Sequence, residues 1–302
     1  MIGILAAPSN LGLQPPETGT VPGCAKAPEA LREAGLYRRL RDVGAFDAGT
    51  VLTGRYRPDV VPGHVRNQSE IIRHARVLAE RIRRVRESGA VPLVLGGDCS
   101  LLVAAGLALR SMGRFGLVHL DGHTDFRHPG NSSDCASLAG EDLAAVVGRH
   151  WPAIANIDGA GPYFYPEEAV HAGCREDDEH LAEVQALLAR VIPAPQIVDD
   201  VRGAAAALRE VVSAFPRGYW LHLDVDILDP AVMPAVDSPS PGGLQPEHLR
   251  DLLRRLAPGA VGIDVTVYDP DVDPDGRWGL LLVEVLADGL RDLGRDFLTR
   301  VP

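Results

Sequence analysis

The sequence has few cysteines and few aromatic residues, and it lacks a long apolar run. Its four cysteines are widely separated among 302 residues, at Cys24, Cys99, Cys135 and Cys174. Such sparse usage is typical of a reducing compartment and argues against a disulfide framework. No apolar run approaches the roughly 20 residues of a transmembrane helix, and the N-terminus lacks the basic segment of a signal peptide. We therefore expect a cytoplasmic protein without membrane association.

An excess of positive charge is also missing. Lys and Arg total 30 against 41 Asp and Glu, which gives a formal net charge of −11. Nucleic acids and anionic membranes are bound by basic surfaces, so neither is an expected partner. The hydrophobic content of 46% is sufficient for a folded core and excludes global disorder.

Strand-like apolar runs alternate with amphipathic helical runs along the chain. This alternation is typical of a parallel sheet covered by helices, and so of the α/β class. No repeat or interdomain linker interrupts it, so we expect one domain over residues 1–302. The predicted strands are 1–6, 91–95, 115–120, 153–157, 168–172, 219–223 and 261–265. The predicted helices are 27–41, 64–88, 100–110, 141–147, 178–190, 201–215, 246–256 and 277–292.

Three short clusters of acidic, histidine and cysteine residues directly follow predicted strands. They are Gly96-Gly97-Asp98-Cys99-Ser100, Asp121-Gly122-His123-Thr124-Asp125 and Asp224-Val225-Asp226. Because the carboxyl ends of parallel strands line one crevice, we expect the clusters to meet there. Together they offer six metal-capable side chains: Cys99, Asp121, His123, Asp125, Asp224 and Asp226. This set exceeds the four ligands of a tetrahedral zinc ion and suits two bridged divalent ions.

The spacing within the clusters predicts which side chains converge. Alternate residues of an extended segment share a face, so Asp121, His123 and Asp125 are expected on one side. Asp224 and Asp226 should share a face in the same way. Buried carboxylates repel each other unless a bound dication compensates them, whereas solvated turns are the alternative environment. Loops rich in Gly and Pro at 8–23, 126–140, 227–246 and 268–276 are predicted to surround the crevice.

These clusters resemble the ureohydrolase superfamily, which includes arginase, agmatinase and formimidoylglutamase. The family pattern reads Gly-Gly-Asp-His-Ser, Asp-Ala-His-x-Asp and Asp-x-Asp-x-x-Asp-Pro, followed by Gly-Gly-Leu. In this chain the third element continues through Asp229-Pro230, and Pro241-Gly242-Gly243-Leu244 follows. The segment Ala27-Pro28-Glu29-Ala30-Leu31-Arg32 also resembles the family, so the similarity spans nearly the whole chain. The resemblance implies a three-layer α/β/α arginase-like fold with a mostly parallel central sheet, two Mn²⁺ ions per chain and a homo-oligomer (a trimer or hexamer).

The resemblance also implies roles for individual residues. Asp121, Asp125, Asp224 and Asp226 would be bridging and terminal metal ligands, with His123 on the second metal. The metal pair would acidify a bridging water, and the resulting hydroxide would attack an amidine-type carbon. Asp125 and His123 are the candidate catalytic residues, with Asp125 handling protons. Asp98 could hydrogen-bond to a metal ligand, or it could stabilise the backbone turn, and both roles are open.

Two departures from the family pattern affect the metal centre and proton transfer. Cys99 stands where the family has a metal-binding His, and thiolate is a softer ligand than Mn²⁺ prefers. The alternatives are a weakly held or absent first metal, Zn²⁺ or Fe²⁺ in its place, and a buried cysteine that does not ligate. Ala139 stands at the position of the arginase proton-shuttle His. Glu141 and His128 are the nearby residues that could replace it.

Further departures concern the substrate. Val267 occupies the position of the Glu that holds the guanidinium in arginase and agmatinase, which removes a bidentate carboxylate. Arg127 resembles a formimidoylglutamase Arg that helps to bind a substrate carboxylate; a solvent-facing loop Arg is the alternative. Asp178 matches the segment that reads the substrate's amino group, and a helix N-cap is its alternative. Arg127 and Asp178 are thus the candidate substrate-binding residues.

The leading hypothesis is a metal-dependent hydrolase of a linear C–N bond in a small amidine or guanidine-type substrate. A formimidoyl or N-hydroxyguanidine substrate would fit the loss of the guanidinium-binding Glu at Val267. An agmatinase-like enzyme with a rebuilt guanidinium site is a second hypothesis. The third is a non-catalytic relative that regulates or scaffolds a partner, which the five retained Asp and His ligands disfavour.

Overall fold

Eight strands of the described residues form one sheet. The computed structural model describes residues 1–214 and 217–298. Its strands are β1 (Ile2–Ala7), β2 (Ala45–Thr50), β3 (Val91–Gly96), β4 (Gly116–Leu120), β5 (Ala169–Ala172), β6 (Arg190–Ile192), β7 (Tyr219–Asp224) and β8 (Ala260–Thr266). The strand order is β2-β1-β3-β8-β7-β4-β5-β6, and every pair is parallel. The prediction of an α/β fold with a parallel central sheet is confirmed.

Helices cover both faces of this sheet. They are α1 (Ala27–Glu33), α2 (Leu36–Arg41), α3 (Gln68–Glu87), α4 (Leu101–Arg110), α5 (Asp142–Val146), α6 (Pro152–Ala155), α7 (Leu181–Leu187), α8 (Ala194–Asp199), α9 (Val201–Val212), α10 (Pro246–Leu256), α11 (Arg277–Gly289) and α12 (Arg295–Leu298). Successive strand residues point to opposite faces, so Leu93 and Leu95 pack with the core that contains α1, α9, α10 and α11, while Val94 packs with α3 and α4. The architecture is therefore the predicted three-layer α/β/α arrangement.

Some predicted elements differ from those observed. The strand predicted at 153–157 is wrong, because Pro152 begins helix α6, and proline favours the first helical position. The helix predicted at 27–41 is split into α1 and α2 at Gly35, whose φ of 99° only glycine adopts readily. The helix predicted to start at residue 201 ends at Val212. Its predicted end at Phe215 lies outside the described residues.

The two outermost strands were missing from the prediction. β2 carries the sequence AFDAGT and is largely half-buried or exposed, so its apolar signal is weak. β6 has only three residues, and the helix predicted over 178–190 is shorter and gives way to this strand. Edge strands pair on one side only, which removes the requirement for a continuous apolar sequence.

The strand order determines where the three motif clusters meet. β3, β8, β7 and β4 are consecutive in the sheet. Their carboxyl ends carry Cys99, Val267, Asp224 and Asp121 respectively. Because all strands run the same way, these residues lie at one edge, where open α/β sheets bind ligands. Among the described residues, no helix is long and apolar enough to cross a bilayer.

Candidate metal centre and cleft

A cleft of about 480 Å³ opens at the carboxyl edge of the sheet. Three of the four loops predicted to surround it contribute to its wall, through residues such as Gln14, Ala139 and Asp237. The fourth loop, 268–276, contacts the first loop instead: the backbone N–H of Gly23 donates to Asp269 at 3.0 Å. Six of the eight predicted site residues line the cleft, namely His123, Asp125, Arg127, Asp178, Asp224 and Asp226.

The backbone of the second cluster turns where an extended segment was predicted. Asp121 Oδ1 accepts the backbone N–H of His123 at 2.7 Å, which closes a turn two residues long. Asp125 then adopts φ of 46°, in the left-handed region. The prediction that Asp121, His123 and Asp125 share one face of an extended segment was therefore wrong in its geometry. The turn nevertheless brings Asp121 near both other side chains.

The third cluster also contains a turn in which an aspartate side chain accepts a backbone N–H group two residues further along the chain. Asp224 ends β7, and its Oδ1 accepts the backbone N–H of Asp226 at 2.7 Å, at the start of a 3-10 turn over Val225–Ile227. Asp226 Oδ1 in turn accepts the backbone N–H of Gly122 at 3.0 Å, which ties the second and third clusters together. Val225, between Asp224 and Asp226, is buried. In both clusters the first Asp therefore shapes the backbone and keeps its other oxygen for a further partner.

Two overlapping groups of ligand atoms result. One contains Cys99, Asp121 and Asp125, and the other contains Asp121, His123 and Asp226, with all ligand atoms of a group within 4.8 Å. Asp121 belongs to both, and its Oδ2 is buried without a protein hydrogen-bond partner. A carboxylate shared between two ligand groups has the geometry of a bridging ligand.

Electrostatics in this region favour a cation. Burial and the neighbouring carboxylates raise the pKa of Asp121, of Asp125 and of Asp224 well above the usual range. Burial alone would also raise the pKa of Asp226, but the hydrogen bond from His123 Nδ1 at 2.9 Å lowers it. Three crowded carboxyl groups can be ionised together only if a positive charge compensates them.

Cys99 is fully buried and faces the same region. Its thiol donates to Asp224 Oδ2 at 2.9 Å and lies 3.2 Å from Thr266 Oγ1. Burial, followed by the negative charge of Asp224, raises the pKa of this thiol. The sulfur thus lies close enough to serve as a ligand, and its role as a ligand stays a prediction.

The first cluster is held by a close backbone approach. Asp98 Oδ2 accepts a hydrogen bond from Ser9 Oγ at 2.6 Å, and Oδ1 accepts the backbone N–H of Ser100 at 2.9 Å. A Cβ on Gly97 would lie 2.1 Å from the backbone oxygen of Ser9. These contacts favour the turn role for Asp98 and explain the Gly at position 97.

Gly97→Ala should therefore destabilise the fold by about 1–3 kcal/mol, because Ser9 offers backbone rather than a movable side chain. The matched control is Gly140→Ala, since no heavy atom lies within 4 Å of its added Cβ. Urea unfolding of both variants measures the difference. Equal midpoints for Gly97→Ala and wild type would contradict the close-approach argument.

The candidate substrate residues lie on the cleft wall with partners of their own. Arg127 Nη2 is 3.2 Å from Glu179 Oε1, and the side chain is partly exposed. Asp178 accepts hydrogen bonds from the backbone N–H and hydroxyl of Thr124, at 2.9 and 2.6 Å, and from the backbone N–H of His180. Asp178 thus orients the segment between His123 and Asp125, in addition to lining the cleft.

Neither residue considered as a replacement proton shuttle is among the described residues that line the cleft. Glu141 accepts the backbone N–H groups of Ala136 and Ser137 and pairs with His150 at 2.8 Å. His128 pairs with Glu183 at 3.0 Å. Ala139 itself does line the cleft. Glu141 and His128 therefore stabilise loops, and the geometry gives neither of them a shuttle position.

The sequence and the fold of this chain are similar to those of known proteins. A model of the arginase family matches residues 1–290. The chain belongs to the arginase family. It is 30% identical to the arginase of Bacillus caldovelox over 253 residues, covering 80% of this chain and 81% of that one. The solved structure of that arginase covers 96% of this chain and 97% of its own, with a TM-score of 0.85 and 25% identity.

Two other members of the arginase family illustrate its range. A formimidoylglutamase of Halobacterium salinarum is 28% identical over 270 residues, covering 84% of this chain and 77% of that protein. The structure of proclavaminate amidino hydrolase from Streptomyces clavuligerus has a TM-score of 0.73 and 25% identity, covering 98% of this chain and 92% of its own. Family membership is thus shown, and several substrates occur among the relatives.

Val267, which stands where the resemblance places a guanidinium-binding Glu, has an unusual backbone conformation. It is buried at the cleft wall with φ of 73°, and its backbone N–H donates to Gly97 O at 2.7 Å. A β-branched residue in the left-handed region is strained by about 1–3 kcal/mol. The strained position directly follows β8, at the cleft wall.

Two cleft residues escaped the sequence analysis. Arg175 is buried, and its guanidinium donates to the backbone oxygens of Ser240, Asp226 and Gly173, which locks the loops around the third cluster. Asp237 lines the cleft, and desolvation together with the charge of Asp226 raises its pKa to about 7. The available signal for Asp237 was its place in the Gly- and Pro-rich loop 227–246, a predicted cleft loop.

Proposed function

We propose that this chain is a metal-dependent hydrolase that cleaves a linear C–N bond in a small amidine or guanidine-type substrate. The observation that carries the proposal is the convergence of the motif side chains at the cleft: His123, Asp125, Asp224 and Asp226 line it, and Asp121 shares one ligand group with His123 and Asp226 and another with Asp125. Membership of the arginase family supports the same reaction class. We also propose a homo-oligomer and a single domain over residues 1–302.

The donor set fits two divalent ions. Asp121, His123 and Asp226 would hold one ion, and Asp121, Asp125 and Cys99 form the ligand group for the other. Asp224, which accepts a hydrogen bond from the Cys99 thiol, would be a further ligand of the second ion. Four carboxylates favour Mn²⁺, whereas thiolate ligation would favour Zn²⁺ or Fe²⁺. The ion pair, when bound, supplies Lewis acidity and a water of lowered pKa.

The chain's own groups would position the substrate and handle protons. His123 Nδ1 hydrogen-bonds Asp226, which fixes the imidazole ring beside the carboxylates. Asp125 can hold a proton because burial and the charges of Asp142 and Asp224 raise its pKa. It is therefore our candidate to receive the proton of the attacking water and deliver it to the leaving nitrogen.

The cleft wall favours a substrate with both a basic and an acidic end. Arg127 supplies positive charge, while Asp178 and Glu179 supply negative charge. Val267 presents an apolar surface where arginase has a carboxylate, which disfavours a fully charged guanidinium at that point. A formimidoyl or N-hydroxyguanidine substrate is therefore the second candidate, and Val267 is the observation that favours it.

The test is hydrolysis by protein that has been stripped of metal and reloaded with Mn²⁺. Arginine, agmatine, 4-guanidinobutyrate, formimidoylglutamate and N-hydroxyarginine are offered in parallel, and urea, formamide and ammonia are measured beside metal content. We expect two ions in the cleft and turnover of at least one substrate. Protein that binds two ions there and turns over none would instead support the non-catalytic relative.

Arg127→Ala should raise KM about 3- to 10-fold for a substrate with a carboxylate and leave kcat unchanged, because a partly exposed ion pair contributes roughly 1 kcal/mol. The same variant should not affect a matched substrate without the carboxylate. Arg149→Ala is the control variant, since Arg149 is exposed and is not among the cleft residues. Unchanged KM values for both substrates would remove Arg127 from the binding site.

A further inference from the structure

One acidic side chain of the cleft, Asp237, lacks a cationic partner among the described residues. It belongs to the loop 227–246 and lines the cleft together with Asp125, Asp224 and Val267. Its Oδ2 accepts a hydrogen bond from the hydroxyl of the neighbouring Ser238 at 3.4 Å, and no described lysine or arginine pairs with it. Asp237 is therefore a charged group in the cleft whose charge the described residues leave unpaired.

The acidic residues already assigned to the substrate are differently placed, because each has a strong partner of its own. Asp178 accepts hydrogen bonds from the backbone N–H and the hydroxyl of Thr124, at 2.9 and 2.6 Å. Glu179 Oε1 lies 3.2 Å from the guanidinium of Arg127. Asp237 has no comparable bond, so its carboxylate is available to a ligand in the cleft.

Asp237 also lies close to the proposed metal ligands. Its negative charge adds to burial and to the other carboxylates in raising the pKa of Asp125 and of Asp224. The Asp237 side chain is exposed to the cleft, but the surrounding protein and the charge of Asp226 still raise its pKa to about 7, which the charge of His123 offsets only in part. A cation bound beside this carboxylate would stabilise its ionised form.

The backbone joins the loop of Asp237 to the segment that follows β8. The N–H of Asp269 donates to the oxygen of Ala235 at 2.8 Å. Asp269 is two residues from Val267, and Ala235 is two residues from Asp237. Because Val267 and Asp237 both line the cleft, Asp237 is placed near the position where the resemblance puts a guanidinium-binding Glu.

We propose that the Asp237 carboxylate binds the positively charged amidine or guanidine group of the substrate and so supplies negative charge that Val267 does not. Carboxylates bind such planar cations through charge-assisted hydrogen bonds. The N–H groups of a guanidinium lie along more than one edge, so binding by Asp237 leaves an edge for a side chain at position 267. This inference rests on the proposed function, because it names the group of that substrate which the cleft recognises.

The test is equilibrium dialysis of full-length, Mn²⁺-reloaded protein against radiolabelled methylguanidinium and, in parallel, methylurea. The two probes have nearly the same shape, but only methylguanidinium is charged at pH 8. We expect Asp237→Asn to weaken binding of methylguanidinium about 5- to 10-fold, because a hydrogen bond to a charged group is lost. Binding of methylurea should not change. Asp59→Asn is the control, since it removes the same charge from an exposed residue that is not among those lining the cleft.

A second measurement does not rely on a variant. In wild-type crystals soaked with methylguanidinium, the planar group should lie within hydrogen-bond distance of Asp237. A methylguanidinium ion bound elsewhere in the cleft would overturn the inference, and so would equal affinities of wild type and Asp237→Asn.

Two further outcomes would also overturn it. Equal weakening of both probes in Asp237→Asn would show that the residue shapes the cleft instead of recognising charge. A metal content of Asp237→Asn below that of wild type would make the residue a metal ligand.

Turnover is not part of this readout, so the inference and the proposed function can fail separately. A chain that binds methylguanidinium through Asp237 but hydrolyses no substrate would lose only the proposed hydrolysis. An active hydrolase whose affinity for methylguanidinium does not depend on Asp237 would lose only this inference.

Discussion

Asp224→Asn is expected to stabilise the metal-free protein while it removes hydrolysis. Burial and the charges of Asp226 and Asp121 raise the pKa of Asp224. A raised pKa means that the stability contributed by this group is complete below its unfolded pKa of about 3.9 and is lost as pH rises. At pH 7.5 the asparagine variant avoids that loss, so we expect its metal-free form to be more stable by roughly 1–2 kcal/mol.

With metal bound, wild type should become more stable than Asp224→Asn, which reverses the order expected for the metal-free proteins. An ion that binds only the folded state adds about 4 kcal/mol when its concentration is 1,000 times its Kd. Wild type should gain this stability with Mn²⁺, whereas Asp224→Asn should gain much less. Activity of the variant should fall at least about 100-fold, since loss of residues that merely support metal ligands already costs 10–100-fold. Urea unfolding with and without Mn²⁺ at pH 5 and pH 7.5, beside kcat/KM, measures all of these effects.

Asp229→Asn is the matched control because it lies five residues further along the same loop. Burial of Asp229 is slight, and its hydrogen bonds from the backbone N–H groups of Ala231, Gly242 and Gly243 lower its pKa. Asp229→Asn should therefore destabilise the metal-free protein, whereas Asp224→Asn should stabilise it. If Asp224→Asn also destabilised the metal-free protein at pH 7.5, repulsion among the carboxylates would not be the main contribution of Asp224 to the free energy of unfolding.

The sequence allowed the motif residues to be placed because each cluster directly follows a buried strand. Parallel strands end at a common edge, so Asp121 and Asp224 could be predicted to meet without knowledge of the strand order. Their local geometry could not be predicted, since it depends on side-chain hydrogen bonds to the backbone at His123 and Asp226. Such turns compete with extended structure, and an alternating pattern does not distinguish the two.

Two buried histidines that are neighbours across the sheet, His119 on β4 and His222 on β7, were missed for a different reason. His119 and His222 each stand within an apolar run that predicts a strand, and a single polar residue there leaves the strand prediction unchanged. Their significance depends on the register of β4 against β7 and on Asp142, which comes from the separate helix α5. Register is a long-range property, fixed by how the whole sheet packs. The edge strands β2 and β6 were missed because their sequences carry little apolar pattern.

Val267→Glu is expected to raise kcat/KM for a guanidine substrate by about 10- to 100-fold in the Mn²⁺-loaded protein. A carboxylate at this position could accept two parallel hydrogen bonds from a guanidinium, and a hydrogen bond to a charged group contributes about 1.5–3 kcal/mol. Removal of the β-branch should relieve backbone strain at φ of 73°. This relief offsets part of the cost of a carboxylate at a position that is only 2% exposed.

Val267→Gln is the control, because it has the same length and shape as Glu but lacks the charge. If charge recognition is the missing element, only the Glu variant should gain activity on arginine or agmatine, while activity on a formimidoyl substrate should not rise. Equal gains for Glu and Gln would assign the effect to relief of backbone strain. No gain from Glu, with two ions still bound in the cleft, would mean that position 267 does not contact the guanidinium and would contradict the argument from charge recognition at this position.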